Sequence, residues 1–178
     1  MLILQVLYFF LPAYLANSIP VLVRNWNFLS YPVDFGMTYR GKRILGDHKT
    51  IRGFLFGSLY AVLVYLLQVY LYSNFDFFKV ISLFDYSSIH CSYGFLLGFG
   101  ALLGDAIESF FKRQLNIPSG QMLWFFDQTD FVFGALLLTA PLYFPGIKVF
   151  LVLLLVSGLL SFLSHRFAYI LKLINTKN

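Results

Sequence analysis

The stretch "GFLLGFGALLGDAIESFFKR", Gly94 to Arg113, changes character halfway along. Up to Gly104 it is hydrocarbon and glycine; from Asp105 on it carries two acids, a serine and a Lys-Arg pair. Gly94 and Gly98, like Gly100 and Gly104, are four apart, a spacing that lets helix backbones approach closely in a membrane. Asp105 and Glu108 are three apart, so on a helix they share a face, with Ser109 and Lys112 on or near the same side. An ionisable residue within or just inside a membrane helix is costly unless it faces the bundle interior and has a partner. The stretch therefore predicts a membrane helix whose charged end points into one cavity.

The rest of the chain agrees with a lipid surrounding. Of 178 residues, 59% are apolar and 12% charged, with a mean hydropathy of +0.75, far from the composition of soluble domains. One domain over residues 1–178 is expected at this length. A bilayer core takes roughly 20 helical residues to cross, and five apolar runs stand out: Met1 to Val23, Ile51 to Tyr72, His90 to Phe111, the shorter Thr129 to Tyr143, and Gly146 to Leu163. The expected fold is an all-α, multi-pass integral membrane protein of about five transmembrane helices. Only the turn around Pro145-Gly146 separates the last two runs, which predicts a tight antiparallel hairpin. No Lys or Arg precedes the first run, which favours a retained span over a cleaved signal peptide. Pro12 within that run predicts a kink or a break, and Asn17 is polar at membrane depth. The single cysteine, Cys91, excludes an intrachain disulfide.

Positive charge collects on the cytoplasmic side of membrane proteins. Arg24, Arg40, Lys42, Arg43, Lys49 and Arg52 lie in or beside the first loop, Lys112 and Arg113 open the third, and Arg166, Lys172 and Lys177 lie in the tail; Lys79 and Lys148 alone fall on the other face. The N-terminus is thus expected outside and the C-terminus in the cytoplasm of a cell-membrane protein. Asp34, Asp47, Asp105, Glu108, Asp127 and Asp130 then share the cytoplasmic face with the basic residues. Lysines and arginines alone would suit anionic head groups; the acids would not. The basic loop is juxtamembrane, so nothing indicates a nucleic-acid partner.

Carboxylates converging on a pocket ringed by Lys and Arg suit a metal-bound polyphosphate. Magnesium is usually held by one or two carboxylates together with substrate phosphates, and the chain has no Walker loop to serve instead. "RGKRILGDHKTIRGFLFG", Arg40 to Gly57, adds basic residues, glycines and the start of the second helix. That helix N-terminus is a candidate phosphate seat, with Lys49 and Arg52 aimed at the anion. A plain positive-inside loop with flexible glycines is the alternative. Asp130 or Thr129 could equally be an N-cap of the fourth helix. No two histidines have metal-ligand spacing. A small ion-coupled transporter or channel would also place carboxylates in a bundle, but near the midplane.

"GDAIESFFKR" followed by a Gly/Pro-containing loop and "DQTD" resembles the signature of the CDP-diacylglycerol synthase superfamily: Gly-Asp, Ser-x-x-Lys-Arg, Asp-x-x-Asp. Gly104, Asp105, Ser109, Lys112, Arg113, Asp127 and Asp130 match it. With "LPAYLAN", "PVDFG" and "RGKRILGDHKT" the chain is similar, over nearly its whole length, to the CDP-archaeol synthase family, the small five-helix branch. The His-Gly-Gly and longer loop of the diacylglycerol branch are absent, and Gln128 stands where that branch has arginine. The Asp-Gly-x-x-Ala-Arg run of CDP-alcohol phosphotransferases is absent as well.

The resemblance implies transfer of CMP from CTP to a membrane lipid phosphate, releasing pyrophosphate, with a divalent cation such as Mg2+. It implies Asp105, Asp127 and Asp130 as metal ligands, Glu108 as a fourth or as the partner of Lys112, and Lys49, Arg52, Lys112 and Arg113 as phosphate-site residues. Asn17 would line the nucleotide pocket or hydrogen-bond a neighbouring helix. The lipid chains would enter laterally between helices, and a homo-oligomer is compatible with the pattern. The charge asymmetry is open to a direct check: single cysteines between Ser73 and Ser82, in a Cys91→Ala background, should react with an impermeant thiol reagent from outside intact cells. Labelling only after permeabilisation would reverse the orientation.

Overall fold

The computed structural model of the chain describes residues 1–117 and 129–170, with side chains to residue 163 in the last helix. In order, these residues form α1 (Leu2–Leu22), a two-stranded antiparallel hairpin of β1 (Thr38–Tyr39) and β2 (Lys42–Arg43), α2 (Ile51–Asn74), α3 (Asp76–Ile81), α4 (Ser92–Gln114), α5 (Asp130–Thr139) and α6 (Ile147–Ile170). Five of these helices lie where the apolar runs placed them. The sixth, α3, has only six residues, too few for hydrophobic periodicity to mark.

Three described helices, α1, α2 and α4, are long and apolar enough to cross a bilayer. With ten residues, α5 spans only about 15 Å at the helical rise, against a hydrocarbon core of roughly 30 Å. Helix α1 runs unbroken through both Pro12 and Pro20, so the break considered at Pro12 does not occur. Nor do α5 and α6 make their main contact with each other. Gly146 takes a positive φ of 85° between them, and Phe133 meets Phe150 edge-on at 5.4 Å, but α5 lies chiefly along α4 while α6 docks on α1, where the Tyr14 hydroxyl and Ser157 Oγ are 2.7 Å apart.

At the end of the bundle away from the charged motif, an aromatic core closes the fold. Phe84 stacks on Tyr86 at 4.3 Å, Tyr86 meets Tyr8 and Tyr65 at 5.8 and 5.6 Å, and Tyr93 meets Tyr65 at 5.8 Å. The segment between α3 and α4 is thereby held against α1, α2 and α4. Tyrosine and phenylalanine thus form the centre of this core.

The glycines of α4 work in two pairs on two faces. A Cβ on Gly94 would fall 2.5 Å from Tyr65 Cβ, and one on Gly98 would strike Ala61 Cβ, so this pair seats α2. On Gly100 it would fall 2.7 Å from the Gly134 carbonyl oxygen, and on Gly104 it would strike the carbonyl oxygen of Asp130, so the second pair seats α5 backbone to backbone. From the other side, a Cβ on Gly134 would strike the Gly100 carbonyl and lie 2.7 Å from Gly104 Cα. Because the obstacle is backbone, it cannot rotate aside. Gly134→Ala should therefore lower stability by about 1–2 kcal/mol, the overpacking cost exceeding the gain in helix propensity. Thermal unfolding in detergent reads this; an unchanged or higher midpoint would contradict the close approach.

Candidate active site

The first loop is built around one carboxylate. Asp34 is 3% exposed. Its Oδ1 accepts hydrogen bonds from the Gly36 amide (3.1 Å) and the Arg43 guanidinium (2.9 Å), and its Oδ2 accepts from the amides of Leu45 (2.9 Å) and Gly46 (3.2 Å). Gly46 adopts φ +105° to make its bond, a conformation that costs only glycine little. Burial would raise the carboxyl pKa, but the Arg43 guanidinium and the three amides outweigh it and hold the group down at about 2. Arg40 and Gly41, both at positive φ, make the two-residue turn between β1 and β2, the geometry that suits a tight hairpin. Arg43, next along, also meets Asp47 at 2.8 Å.

The loop is then tied to the end of α4. Lys42 Nζ donates to the carbonyl oxygen of Gln114 (2.6 Å) and Gln114 Nε2 donates to the Arg43 carbonyl (3.4 Å). A cation at a helix C-terminus also complements the helix dipole. This attachment brings Lys49 over α4, where its ammonium forms an ion pair with Asp105.

Close packing at Gly104 delivers the next acid. Asp130 opens α5 directly against that glycine, so one carboxylate oxygen from each of Asp105, Glu108 and Asp130 lies within 4.8 Å of the other two. Glu108 pairs with Lys112 at 2.6 Å, and both side chains are nearly buried. The helix-cap alternative holds in part. Thr129 occupies the N-cap position but makes no capping side-chain hydrogen bond, whereas Asp130 Oδ1 accepts from the Phe131 amide at 2.7 Å.

Asp105, Glu108 and Lys112 line a cavity of ≈ 400 Å³ whose walls also include Arg43, Lys49, Ser109 and Arg113. The Arg113 Nε is buried and has no hydrogen-bond partner among the described residues. A second cavity of ≈ 270 Å³ holds Asn17, Arg24 and Arg52, and shares Asp47, His48, Lys49 and Asp105 with the first. The two are lobes of one cleft, joined where Lys49 meets Asp105.

The structure places Asp105, Glu108, Asp130, Lys49, Lys112 and Arg113 at one end of this cleft, with Asn17 and Arg52 in the adjoining lobe. Asp127 lies outside the described residues. One expectation needs correction: the N-terminus of α2 is not an open phosphate seat. Its Ile51 and Arg52 amides donate to the carbonyls of Tyr31 and Leu29, its Gly53 amide to Thr50 Oγ1 and its Phe54 amide to the Thr50 carbonyl, so the first-turn donors are spent within the chain. Arg52 is likewise engaged, donating to the carbonyls of Trp26 and Arg24. Arg43 and the organising role of Asp34 escaped the sequence reading, because the residues that meet them are brought there only by the folded loop.

A family model described as CarS-like CDP-archaeol synthase matches residues 1–177. The chain belongs to the CDP-archaeol synthase family. The CDP-archaeol synthase of Pyrococcus furiosus is 38% identical over 173 residues, covering 96% of this chain and 95% of that protein. The CDP-archaeol synthase of Thermococcus gammatolerans is 40% identical over 166 residues, covering 92% and 89%. A solved structure of an intramembrane enzyme for archaeal membrane lipids biosynthesis superposes with a TM-score of 0.66 at 30% identity, over 89% of this chain and 90% of that one. Membership of the CDP-archaeol synthase family gives the transporter alternative no support.

Asp34 makes the site's electrostatics testable by pH. Its folded pKa lies below the unfolded value, so its stabilising contribution is present above about pH 4 and is lost as pH falls towards 2. That contribution is on the order of 2 kcal/mol. Asp34→Asn should be less stable than the parent at pH 7 by about that amount, and the gap should narrow as pH is lowered from 5 to 2. A gap that stays constant in denaturation curves across that range would remove the ionised carboxylate from the account.

Proposed function

We propose that the cleft transfers CMP from CTP to the phosphate of a membrane lipid, giving a CDP-activated lipid and pyrophosphate for phospholipid synthesis. The observation that carries this reading is the convergence of Asp105, Glu108 and Asp130 within 4.8 Å of one another, with Asp105 and Glu108 lining a cavity whose walls also carry Lys49, Lys112, Arg43 and Arg113. Its relatives, CDP-archaeol synthases, point to an archaeol-type acceptor. On this reading Asp105, Asp127 and Asp130 bind metal, with Glu108 assisting, and the cleft opens to the cytoplasm, where CTP is found. The chain then crosses the cell membrane about five times, with its N-terminus outside and its C-terminus inside.

Three clustered carboxylate oxygens form a hard donor set, the kind a magnesium-class ion takes. A divalent cation bound there would polarise phosphoryl oxygens and offset the charge of the triphosphate. The chain's own side chains supply the remainder. In the reaction a lipid-phosphate oxygen bonds to the α-phosphorus of CTP as the bond from that phosphorus to the β-phosphate bridging oxygen breaks, and the electron pair leaves with pyrophosphate. The attacking phosphate is already an anion near neutral pH, so neither a general base nor an enzyme nucleophile is required.

The task of the residues is to hold two anions in line and to stabilise charge as it shifts. Lys49 and Lys112 already stand against the carboxylates, and the Arg113 guanidinium brings a buried donor with no partner among the described residues. Arg43 is held rigidly by Asp34 and Asp47. Asn17 and Arg52 line the adjoining lobe, which has room for the rest of the nucleotide.

The purified protein with CTP, magnesium and a lipid phosphate should release pyrophosphate and form the CDP-lipid. Asp105→Asn, Asp127→Asn and Asp130→Asn should stay folded in detergent while losing at least about a hundred-fold in turnover, as when a preorganised electrostatic group is removed. Near-normal turnover of all three variants at low magnesium would return these residues to capping and packing.

A further inference from the structure

We propose that the apolar groove between α2 and the C-terminal half of α4 holds one hydrocarbon chain of the lipid acceptor, an inference that rests on reading the polar cleft as a lipid-phosphate site. On α4, Phe99, Leu103, Ala106 and Phe110 recur at helical spacing and line one side of a cavity of ≈ 530 Å³; Ile51 and Phe54 of α2 line the other. That volume lies in the usual range of small-molecule sites, about 300–1,000 Å³.

Every residue lining the groove is apolar, while the charged cleft lies close by. The two share walls. Leu45 lines the groove and the lobe that holds Glu108, Lys112 and Arg113, and Phe54 lines the groove and the lobe that holds Asn17. A molecule that passes the edge of Leu45 therefore moves from a purely apolar lining to a cluster of charges, which matches a phosphate carrying a long alkyl tail.

Bulk lipid is the competing occupant, and the groove's shape argues against it. A helix face that merely met the bilayer would have no cover at its polar end. Here Val33, Ile44 and Leu45 of the first loop close that end, and the loop is fixed there by Asp34 and by the Lys42 bond to α4. The flank stays open through Ile107 and Phe111, which are 47% and 56% exposed, leaving a side entrance from the membrane.

A lipid phosphate with a photoactivatable diazirine in one chain, bound to the full chain in nanodiscs, tests the assignment. Cross-links should map to residues 51–54 and 99–110 and fall several-fold with excess unlabelled lipid phosphate; the same probe without its phosphate should not concentrate there. In parallel, Leu103→Trp should raise the KM for long-chain lipid phosphate about tenfold while leaving CTP binding unchanged, which also reports folding. Equal labelling of the groove by both probes without competition would make it an ordinary lipid-facing flank and overturn the proposal. An unchanged KM in a folded Leu103→Trp protein would do so too. If the parent protein forms no CDP-lipid from any lipid phosphate, cytidylyl transfer falls; if it is active but cross-links elsewhere, only the groove assignment falls.

Discussion

The backbone contact between α4 and α5 is the constraint on which the site depends. Gly100, Gly104 and Gly134 let the two helices approach until carbonyl oxygens occupy the space of missing side chains. Asp105 follows Gly104 directly, and Asp130 lies across that contact, so the same approach that packs the helices also sets their carboxylates side by side. Helix association in a membrane has little hydrophobic drive and depends on such close packing. The function thus borrows its geometry from a packing motif, and any side chain that separates the helices also separates the acids.

Gathering like charges in a partly buried place is unfavourable without compensation. The fold answers with two lysines of different origin. Lys112 comes from the same helix as Glu108, one turn on, and is supplied by local geometry alone. Lys49 comes from the first loop and reaches Asp105 only because that loop is rigid. Its rigidity traces to Asp34, which takes three backbone amides and one guanidinium, and to Lys42, which fastens the hairpin to the last residue of α4. The glycines of this loop serve tight turns at positive φ, so a stretch that reads as flexible is instead fixed in shape.

The two ends of the bundle are held by different physics. At the site end, order comes from hydrogen bonds and ion pairs around Asp34 and Asp105. At the far end it comes from ring contacts among Tyr8, Tyr65, Phe84, Tyr86 and Tyr93.

The sequence by itself determined the membrane character, the positions of five helices and most of the acidic and basic residues of the cleft. Each of these rests on local information: apolar run length, the three- and four-residue spacing of a helix face, and a contiguous motif such as Gly104 to Arg113. It also marked the glycine pairs as packing surfaces, though not which neighbour each would meet. Only the tertiary structure decided that one pair seats α2 and the other α5, that the amides opening α2 are spent on the loop, and that Arg52 turns to carbonyl oxygens while Arg43 lines the cavity. The last two outcomes depend on which of several chemically equivalent donors the fold brings to a given acceptor. That is settled by the path of the first loop, a contact between residues far apart in the chain that no local pattern records.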